Sequence, residues 1–183
     1  WVSARNSGRL CVLDMGGSLG TTYFQNNKFL NEINLSSWNI VEQPKYVKAG
    51  KTYFEDEKLR FFDSIENCLE TCNPNVILIS SSLQYMINPY AIINSLCNIG
   101  ADAIILDRTI INNYKSNKIY VQHAMPSIGG SYPCYSISES WLFDLLNETY
   151  DLIESFDSLS FHELINIDST FKGYIFYKKL TNE

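Results

Sequence analysis

The chain has 183 residues, 45% of them hydrophobic and 14% aromatic, and a formal net charge of −6. This length and composition suit one compact domain with a substantial core and exclude wholesale disorder. The negative charge and the lack of a basic cluster argue against binding to nucleic acid or to an anionic membrane surface.

No stretch approaches the roughly 20 apolar residues that span a bilayer, and no signal peptide opens the chain, so we expect a cytoplasmic protein. The chain starts at Trp1 rather than at a methionine, which is compatible with a longer natural N-terminal segment. The five cysteines are odd in number, which indicates reduced thiols rather than a disulfide framework.

Short β-branched runs alternate with longer amphipathic segments along the first 107 residues, the pattern of βαβ units that build a mostly parallel sheet. The predicted strands are Leu10–Asp14, Trp38–Glu42, Leu59–Phe62, Val76–Ser80 and Ala103–Asp107. The predicted helices are Thr21–Ile33, Pro44–Phe54, Ile65–Cys72 and Pro89–Leu96, two of which begin at a proline.

The character of the chain changes after Asp107. Residues 108 to 137 are rich in Asn, Ser, Gly, Pro and Tyr, which predicts a long irregular segment with one short strand at Ile119–His123. A helix at Glu139–Leu146 and two closing strands, Tyr150–Phe156 and Gly173–Lys178, complete the predicted elements.

A glycine-rich turn directly follows the first predicted strand, which ends in Asp14. Gly16, Gly17 and Gly20 allow backbone N–H groups to approach a ligand at the carboxyl edge of the sheet. Glu42 ends the second strand 22 residues after Gly20, where a ribose-binding carboxylate is expected in nucleotide-binding folds.

These features together resemble the class I S-adenosylmethionine-dependent methyltransferases. The motif Asp14-x-Gly16-x-Ser18-x-Gly20 carries the resemblance, with Glu42 ending a second strand and Asp63-Ser64 following a third. The resemblance implies a Rossmann-like α/β fold with a mostly parallel seven-stranded sheet, helices on both faces and a C-terminal antiparallel strand pair. Ser18 stands where the family usually has the central glycine of this motif.

Further segments look like a bacterial family of methyltransferases, assigned by inference, from surface-polysaccharide gene clusters. They are Val41-Glu42-Gln43-Pro44, Ser81-Ser82-Leu83-Gln84-Tyr85, Asp107-Arg108-Thr109 and Ser131-Tyr132-Pro133-Cys134. The resemblance implies S-adenosylmethionine as cofactor and S-adenosylhomocysteine as product. The residues it assigns to the cofactor are Asp14, Gly16, Gly17, Ser18, Gly20, Glu42, Gln43, Asp63, Ser64, Ser81 and Leu83.

Each acid assigned to the cofactor also has a simpler structural interpretation, and both remain open. Asp14 would lie near the amino-acid part of the cofactor, or it caps the helix that follows. Glu42 would accept from both ribose hydroxyls, or it is a solvated loop acid. Asp63 would accept from the adenine amino group, or it caps the helix near Ile65.

The acceptor is expected beside the fourth and fifth strands, with Gln84, Arg108, Tyr132 and Tyr135 as substrate-binding residues. Arg108 could clamp an anion or simply pair with Asp107, and the two tyrosines could line the acceptor or pack their loop onto the domain.

The catalytic candidates are His123, Asp107 and Tyr85. His123 could act as general base or be structural, and Tyr85 could border both ligands or belong to the core. Cys68 and Cys72 have the spacing of a metal pair, but no further ligands accompany them, so we expect core packing and no metal.

The leading hypothesis is methyl transfer to an oxygen, rather than a nitrogen, of a small polar acceptor such as a sugar, a phosphorylated metabolite or a surface-polysaccharide precursor. Two alternatives remain open at this point. One is a nucleotide-dependent oxidoreductase or epimerase on a Rossmann sheet, although the turn is a poor match to G-x-G-x-x-G. The other is a non-catalytic interaction module of the same fold.

Overall fold

The computed structural model describes residues 1–123, 129–158 and 168–180. It divides the chain into two compact units, the first formed by residues 1–80 and 99–105 and the second by residues 81–98 and 106 onward. The expectation of a single domain stays a prediction.

The described residues form nine strands and six α-helices. The strands are β1 (Arg9–Met15), β2 (Asn34–Val41), β3 (Leu59–Phe62), β4 (Val76–Ser80), β5 (Ala103–Asn112), β6 (Lys118–His123), β7 (Ser131–Ser138), β8 (Tyr150–Asp157) and β9 (Thr170–Lys178). The helices are α1 (Val2–Arg5), α2 (Thr21–Leu30), α3 (Pro44–Tyr53), α4 (Ile65–Leu69), α5 (Pro89–Ile99) and α6 (Glu139–Leu146).

The first unit is built on strands in the order β3-β2-β1-β4-β5, with parallel pairing from β3 to β4, and β5 contributes its first residues. Met15 pairs with Val41, and Val41 pairs with Phe62, so β1, β2 and β3 end at one level. Because parallel strands end at the same edge, this register brings the residues that follow each strand to a common edge.

The interior of this unit is formed by the apolar residues of its strands, which lie buried as in parallel sheets covered by helices. Leu13, Ile40 and Ile77 on three neighbouring strands are fully buried. Gly50 of α3 lies against the ring of Phe61, and a Cβ at this position would come within 2.4 Å of that ring. The glycine therefore sets how closely α3 packs on β3.

The second unit combines parallel and antiparallel strands. Strand β7 pairs parallel with the end of β5 and antiparallel with β6, while β9 pairs with β5 and antiparallel with β8. The closing strand pair predicted from the sequence is confirmed as β8 and β9.

The predicted irregular segment over residues 108 to 137 is wrong. Strand β5 continues to Asn112, and β7 occupies Ser131–Ser138, although Pro133 lies within it. Proline lacks the N–H that a strand interior donates, which is why the sequence favoured a loop. The strand predicted at Ile119–His123 is present and begins one residue earlier.

None of the helices in the described residues is long and apolar enough to cross a membrane.

Candidate functional site

The turn after β1 holds three residues in the left-handed backbone region. The φ angles are +75° at Gly16, +53° at Ser18 and +92° at Gly20, and Gly20 is the N-cap of α2. Ser18 therefore adopts the conformation that the missing glycine would adopt most easily, at a cost of about 1–2 kcal/mol. The departure from the family pattern leaves the shape of the turn intact.

Asp14 lies beneath this turn and is only 1% exposed. Its Oδ2 accepts a hydrogen bond from Trp38 Nε1 of β2 at 2.9 Å. A Cβ at Gly17 would come within 2.5 Å of the same oxygen, so only glycine fits above the carboxylate. The helix-cap alternative for Asp14 is wrong, because Gly20 occupies the cap.

Glu42 follows β2 at the same edge and is half-buried. Its backbone N–H donates to Phe62 O of β3 at 3.0 Å, which holds the residue in place. Its Oε2 accepts from the N–H of Gln43 at 2.5 Å, while a carboxylate has further acceptor capacity. Gln43 is exposed and begins α3.

Asp63 and Ser64 follow β3. Ser64 caps α4, its Oγ accepting from Asn67 N at 3.1 Å, and exposed Asp63 accepts from the Asn67 side chain at 2.7 Å. The helix cap expected of Asp63 therefore belongs to Ser64. The proposed contacts of both residues with the cofactor stay predictions.

In the second unit, Ser81 begins the segment that follows β4, and its φ is +58°. Its N–H donates to Asp107 O at 2.9 Å. Leu83 and Gln84, in a short 3₁₀ helix, are fully buried, so their side chains face the core rather than an open surface. The predicted ligand contacts of these two residues stay predictions.

Gln84 instead supports the backbone of a neighbouring strand. Its Nε2 donates to Arg108 O at 3.1 Å, and among the described residues its buried Oε1 has no hydrogen-bond partner. Arg108 has a φ of +50° inside β5, a conformation that is strained for a residue with a Cβ. Gln84 thus holds a strained position that sequence reasoning did not foresee.

Asp107 and Arg108 form an ion pair, with 3.3 Å between Asp107 Oδ2 and Arg108 Nε. Ser158 links them further, because its Oγ donates to Asp107 Oδ1 at 2.9 Å and accepts from Arg108 N at 3.1 Å. The ion-pair alternative for Arg108 is confirmed. Both side chains remain partly exposed, at 41% for Arg108 and 30% for Asp107.

Tyr85 is 40% exposed, so the core alternative does not describe it. Its hydroxyl donates to Gln122 Oε1 at 2.9 Å, and its ring packs edge-on against Tyr132 with 5.6 Å between ring centroids. Burial and the neighbouring Cys134 and Tyr132 raise the pKa of Tyr85, so its phenol stays protonated at neutral pH.

Gln122 was missed in the sequence, because its place opposite Tyr132 depends on the pairing of β6 with β7. Tyr135 also reaches the segment after β4, its hydroxyl donating to Ile87 O at 3.4 Å. Tyr132 and Tyr135 therefore pack onto that segment. Their role in acceptor binding stays a prediction.

His123 lies at the end of β6 and is exposed, paired in register with Ser131. Successive side chains of a strand point to opposite faces, so His123 faces away from the side on which Gln122 meets Tyr85. The structure does not bring His123 together with the Tyr85 cluster.

All five cysteines are free thiols. Cys68 and Cys72 lie 3.4 Å apart at their sulfur atoms, and Cys68 is fully buried. The thiol pKa of Cys72 is raised to about 12: Cys11 lowers it, but its contact with Cys68 and burial outweigh that effect. Among the described residues no group of His, Cys, Asp and Glu is arranged to hold a metal ion.

Neither a protein-family profile nor a curated protein sequence matches this chain. Solved structures do match in fold. A candidate S-adenosylmethionine-dependent methyltransferase from Listeria monocytogenes has a TM-score of 0.64 and 11% identity, with 92% of this chain and 91% of that chain covered.

Two further solved structures are similar in fold, and their names give different methyl acceptors. Magnesium protoporphyrin IX methyltransferase from Synechocystis, solved with bound S-adenosylmethionine, has a TM-score of 0.60 and 13% identity, covering 98% of this chain and 75% of that chain. A 1,6-didemethyltoxoflavin N1-methyltransferase from Burkholderia thailandensis has a TM-score of 0.56 and 12% identity, covering 97% and 76%.

This chain has the class I methyltransferase fold. The Rossmann-like α/β architecture predicted from the sequence is confirmed, but the described residues form nine strands rather than the seven expected.

Proposed function

We propose that this protein is a methyltransferase that uses S-adenosylmethionine and methylates an oxygen of a small polar acceptor. The observation that carries the proposal is the turn after β1, where Gly16, Ser18 and Gly20 adopt left-handed conformations and Gly17 lies against the buried Asp14. The fold supports it, because a similar structure from Synechocystis was solved with bound S-adenosylmethionine.

The residues of the first unit fit this cofactor. Gly17 lies directly against the Asp14 carboxylate, so a Cβ at this position would displace that side chain, and Glu42 presents a carboxylate at the same edge for the ribose hydroxyls. Asp63 and Ser64 follow the next strand, where we place the adenine. The bound sulfonium supplies an electrophilic methyl group, so the protein contributes mainly alignment and exclusion of water.

The residues of the second unit are assigned to the acceptor. Asp107, Arg108, Tyr85 and Tyr132 are partly exposed polar or aromatic side chains held by defined contacts. We assign deprotonation of an acceptor hydroxyl to Asp107 rather than His123. Asp107 belongs to the network of Ser81, Gln84 and Arg108, whereas His123 faces away from the Tyr85 cluster.

A carboxylate beside the acceptor favours oxygen over nitrogen, because a hydroxyl must lose its proton to a base while a neutral amine attacks without one. We further propose a hydroxyl-bearing precursor of a surface polysaccharide as the acceptor, on the resemblance described above. A cytoplasmic location belongs to the same proposal.

Calorimetric titration with S-adenosylhomocysteine tests the cofactor site. Wild-type protein should bind it, and Glu42→Ala should weaken binding by about 1–3 kcal/mol through the lost ribose contacts. Glu32→Ala, which removes an exposed acid after α2, is the matched control and should bind as the wild type does. Unchanged affinity in Glu42→Ala would remove Glu42 from the site.

A screen with labelled S-adenosylmethionine then tests methyl transfer to nucleotide sugars and phosphorylated metabolites. Asp107→Asn should abolish any transfer that is found, whereas His123→Gln should retain it. Tighter binding of NAD than of S-adenosylhomocysteine would favour the oxidoreductase alternative. Binding of S-adenosylhomocysteine without transfer to any acceptor would favour the interaction module.

A further inference from the structure

A cavity of about 480 Å³ lies within the second unit at the far end of β5 and the start of β9. None of the site residues discussed above belongs to it. It is lined by Ile111, Asn112, Asn113, Tyr114, Asp168, Ser169 and Thr170. Its volume falls in the range of small-molecule sites, and six of these seven residues carry a polar side-chain group.

The wall of the cavity is held by buried hydrogen bonds. Asn112, 2% exposed, donates from Nδ2 to Ser136 O at 2.8 Å and to Ser136 Oγ at 2.9 Å. Its Oδ1 accepts from Tyr114 N at 2.8 Å, and the Oγ atoms of Ser136 and Ser169 lie 2.7 Å apart. The lining is therefore preorganised rather than a gap between loose loops.

Hydrogen-bonding capacity remains at the cavity. The Tyr114 hydroxyl donates to Asp168 Oδ2 at 2.8 Å, which uses one of about four acceptor positions of that carboxylate. Asn113 and Thr170 are exposed and add an amide and a hydroxyl. The Asp168 hydrogen bond raises the pKa of Tyr114, which keeps its phenol a donor to the carboxylate.

The charge of the lining selects among ligands. Asp168 is the one charged residue among the seven lining residues. The ammonium of Lys118 lies 5.2 Å from the centroid of the Tyr114 ring, but Lys118 does not line the cavity. A phosphate or carboxylate would meet the Asp168 charge. A ligand that donates hydrogen bonds through hydroxyl or amine groups and packs on an aromatic ring suits the cavity.

The cavity also lies on the strand that carries Asp107. Asn112 follows Asp107 by five residues on β5, which is at most about 17 Å along the strand. We propose that this cavity is a distal subsite for a neutral or amine-bearing polyol portion of the acceptor. The inference rests on the proposed function for its link to methyl transfer, and it requires a small polar acceptor that is long enough to reach from Asp107 to this cavity.

Protein amide spectra recorded during titration with D-glucose, D-glucosamine and D-gluconate test the subsite. Glucose and glucosamine should shift the resonances of Asn112 and Asn113, and gluconate should not, because its carboxylate meets Asp168. Asp168→Asn should weaken glucosamine binding about tenfold, since it removes a charged acceptor. Asp144→Asn, an exposed acid of α6, should leave binding unchanged.

Tyr114→Phe provides a second variant that keeps the ring and removes the phenol, should Asp168→Asn fold poorly. The inference is overturned when neither sugar shifts these resonances, when gluconate binds as well as glucosamine, or when both variants bind as the wild type does. S-adenosylhomocysteine titrated in parallel separates the two claims. Sugar binding without cofactor binding contradicts the proposed function, and the reverse contradicts the subsite.

Discussion

Trp38 donates a hydrogen bond from Nε1 to the buried carboxylate of Asp14, at 2.9 Å from its Oδ2. The two residues lie on adjacent strands, β2 and β1, and Trp38 is itself only 5% exposed. The indole thus orients the acid that we place beside the cofactor, and it does so from the core.

Trp38→Phe should lower the free energy of unfolding by about 2–3 kcal/mol, because it removes both a hydrogen bond to a buried carboxylate and part of a buried ring. A double-mutant cycle with Asp14→Ala, followed by urea unfolding, separates the two effects. We expect a coupling of about 1–2 kcal/mol between the residues. Additive effects would show that the contact contributes nothing of its own.

Gly17→Ala should reduce affinity for S-adenosylhomocysteine at least about tenfold, because the new Cβ would come within 2.5 Å of Asp14 Oδ2 and displace the carboxylate. Calorimetry measures the affinity, and thermal unfolding confirms that the variant is folded. Wild-type affinity in a folded variant would show that the position of Asp14 does not matter for the cofactor.

Ser18→Gly is the opposite change in the same turn. The φ of +53° at this position strains a serine but not a glycine, although a glycine loses more backbone freedom on folding. The free energy of unfolding should therefore rise by about 0.5–1 kcal/mol, and the affinity for the cofactor should not change. Urea unfolding measures the gain. A loss of stability would mean that the serine side chain makes a contact outweighing the backbone strain.

The sequence predicted most strands of the first unit because they are short, mainly apolar runs bounded by turn residues, whereas the polar start of β2 at Asn34 was missed. Leu59–Phe62 and Val76–Ser80 have the predicted bounds, and so does the helix Glu139–Leu146 of the second unit. The glycine turn and the acid that ends β1 were likewise visible as a local motif.

What the sequence missed depends on long-range pairing. Strand β7 is polar and contains Pro133, and it forms because β6 and the end of β5 lie on its two sides. Two side-chain hydrogen bonds also depend on how separate parts of the chain come together. They are the bond from Trp38 to Asp14 and the bond from Tyr85 to Gln122. No spacing within the sequence encodes such contacts.

Gln84→Met should lower kcat while leaving the free energy of unfolding almost unchanged. The variant loses the donor to Arg108 O, but it also removes the buried Oε1 that has no partner among the described residues, so stability should change by less than about 1 kcal/mol. The strained backbone of Arg108 loses its support, and kcat for the proposed transfer should fall about tenfold.

Gln25→Met, on an exposed position of α2, is the matched control for both measurements and should change neither. An active Gln84→Met enzyme with wild-type kcat would show that the support of Arg108 is not needed for turnover.

The stabilising contribution of the Glu139 carboxylate should be lost in acid. Burial alone would raise its pKa, but hydrogen bonds from Tyr174 at 2.6 Å and Lys172 at 2.9 Å outweigh burial and hold the pKa below its ordinary value of 4.5. A carboxyl with a depressed folded-state pKa stabilises above its unfolded pKa, and this contribution is lost as the pH falls through the folded value.

Glu139→Gln should therefore lower the free energy of unfolding by about 2 kcal/mol at neutral pH, the size of hydrogen bonds to a charged group. The difference from wild type should shrink as the pH falls from neutral through the lowered folded-state pKa of Glu139, because protonation removes the carboxylate charge. Urea unfolding across that range measures it, with Glu148→Gln as an exposed control. A difference that stays constant with pH would mean that packing of α6, rather than the carboxylate charge, supplies the stability.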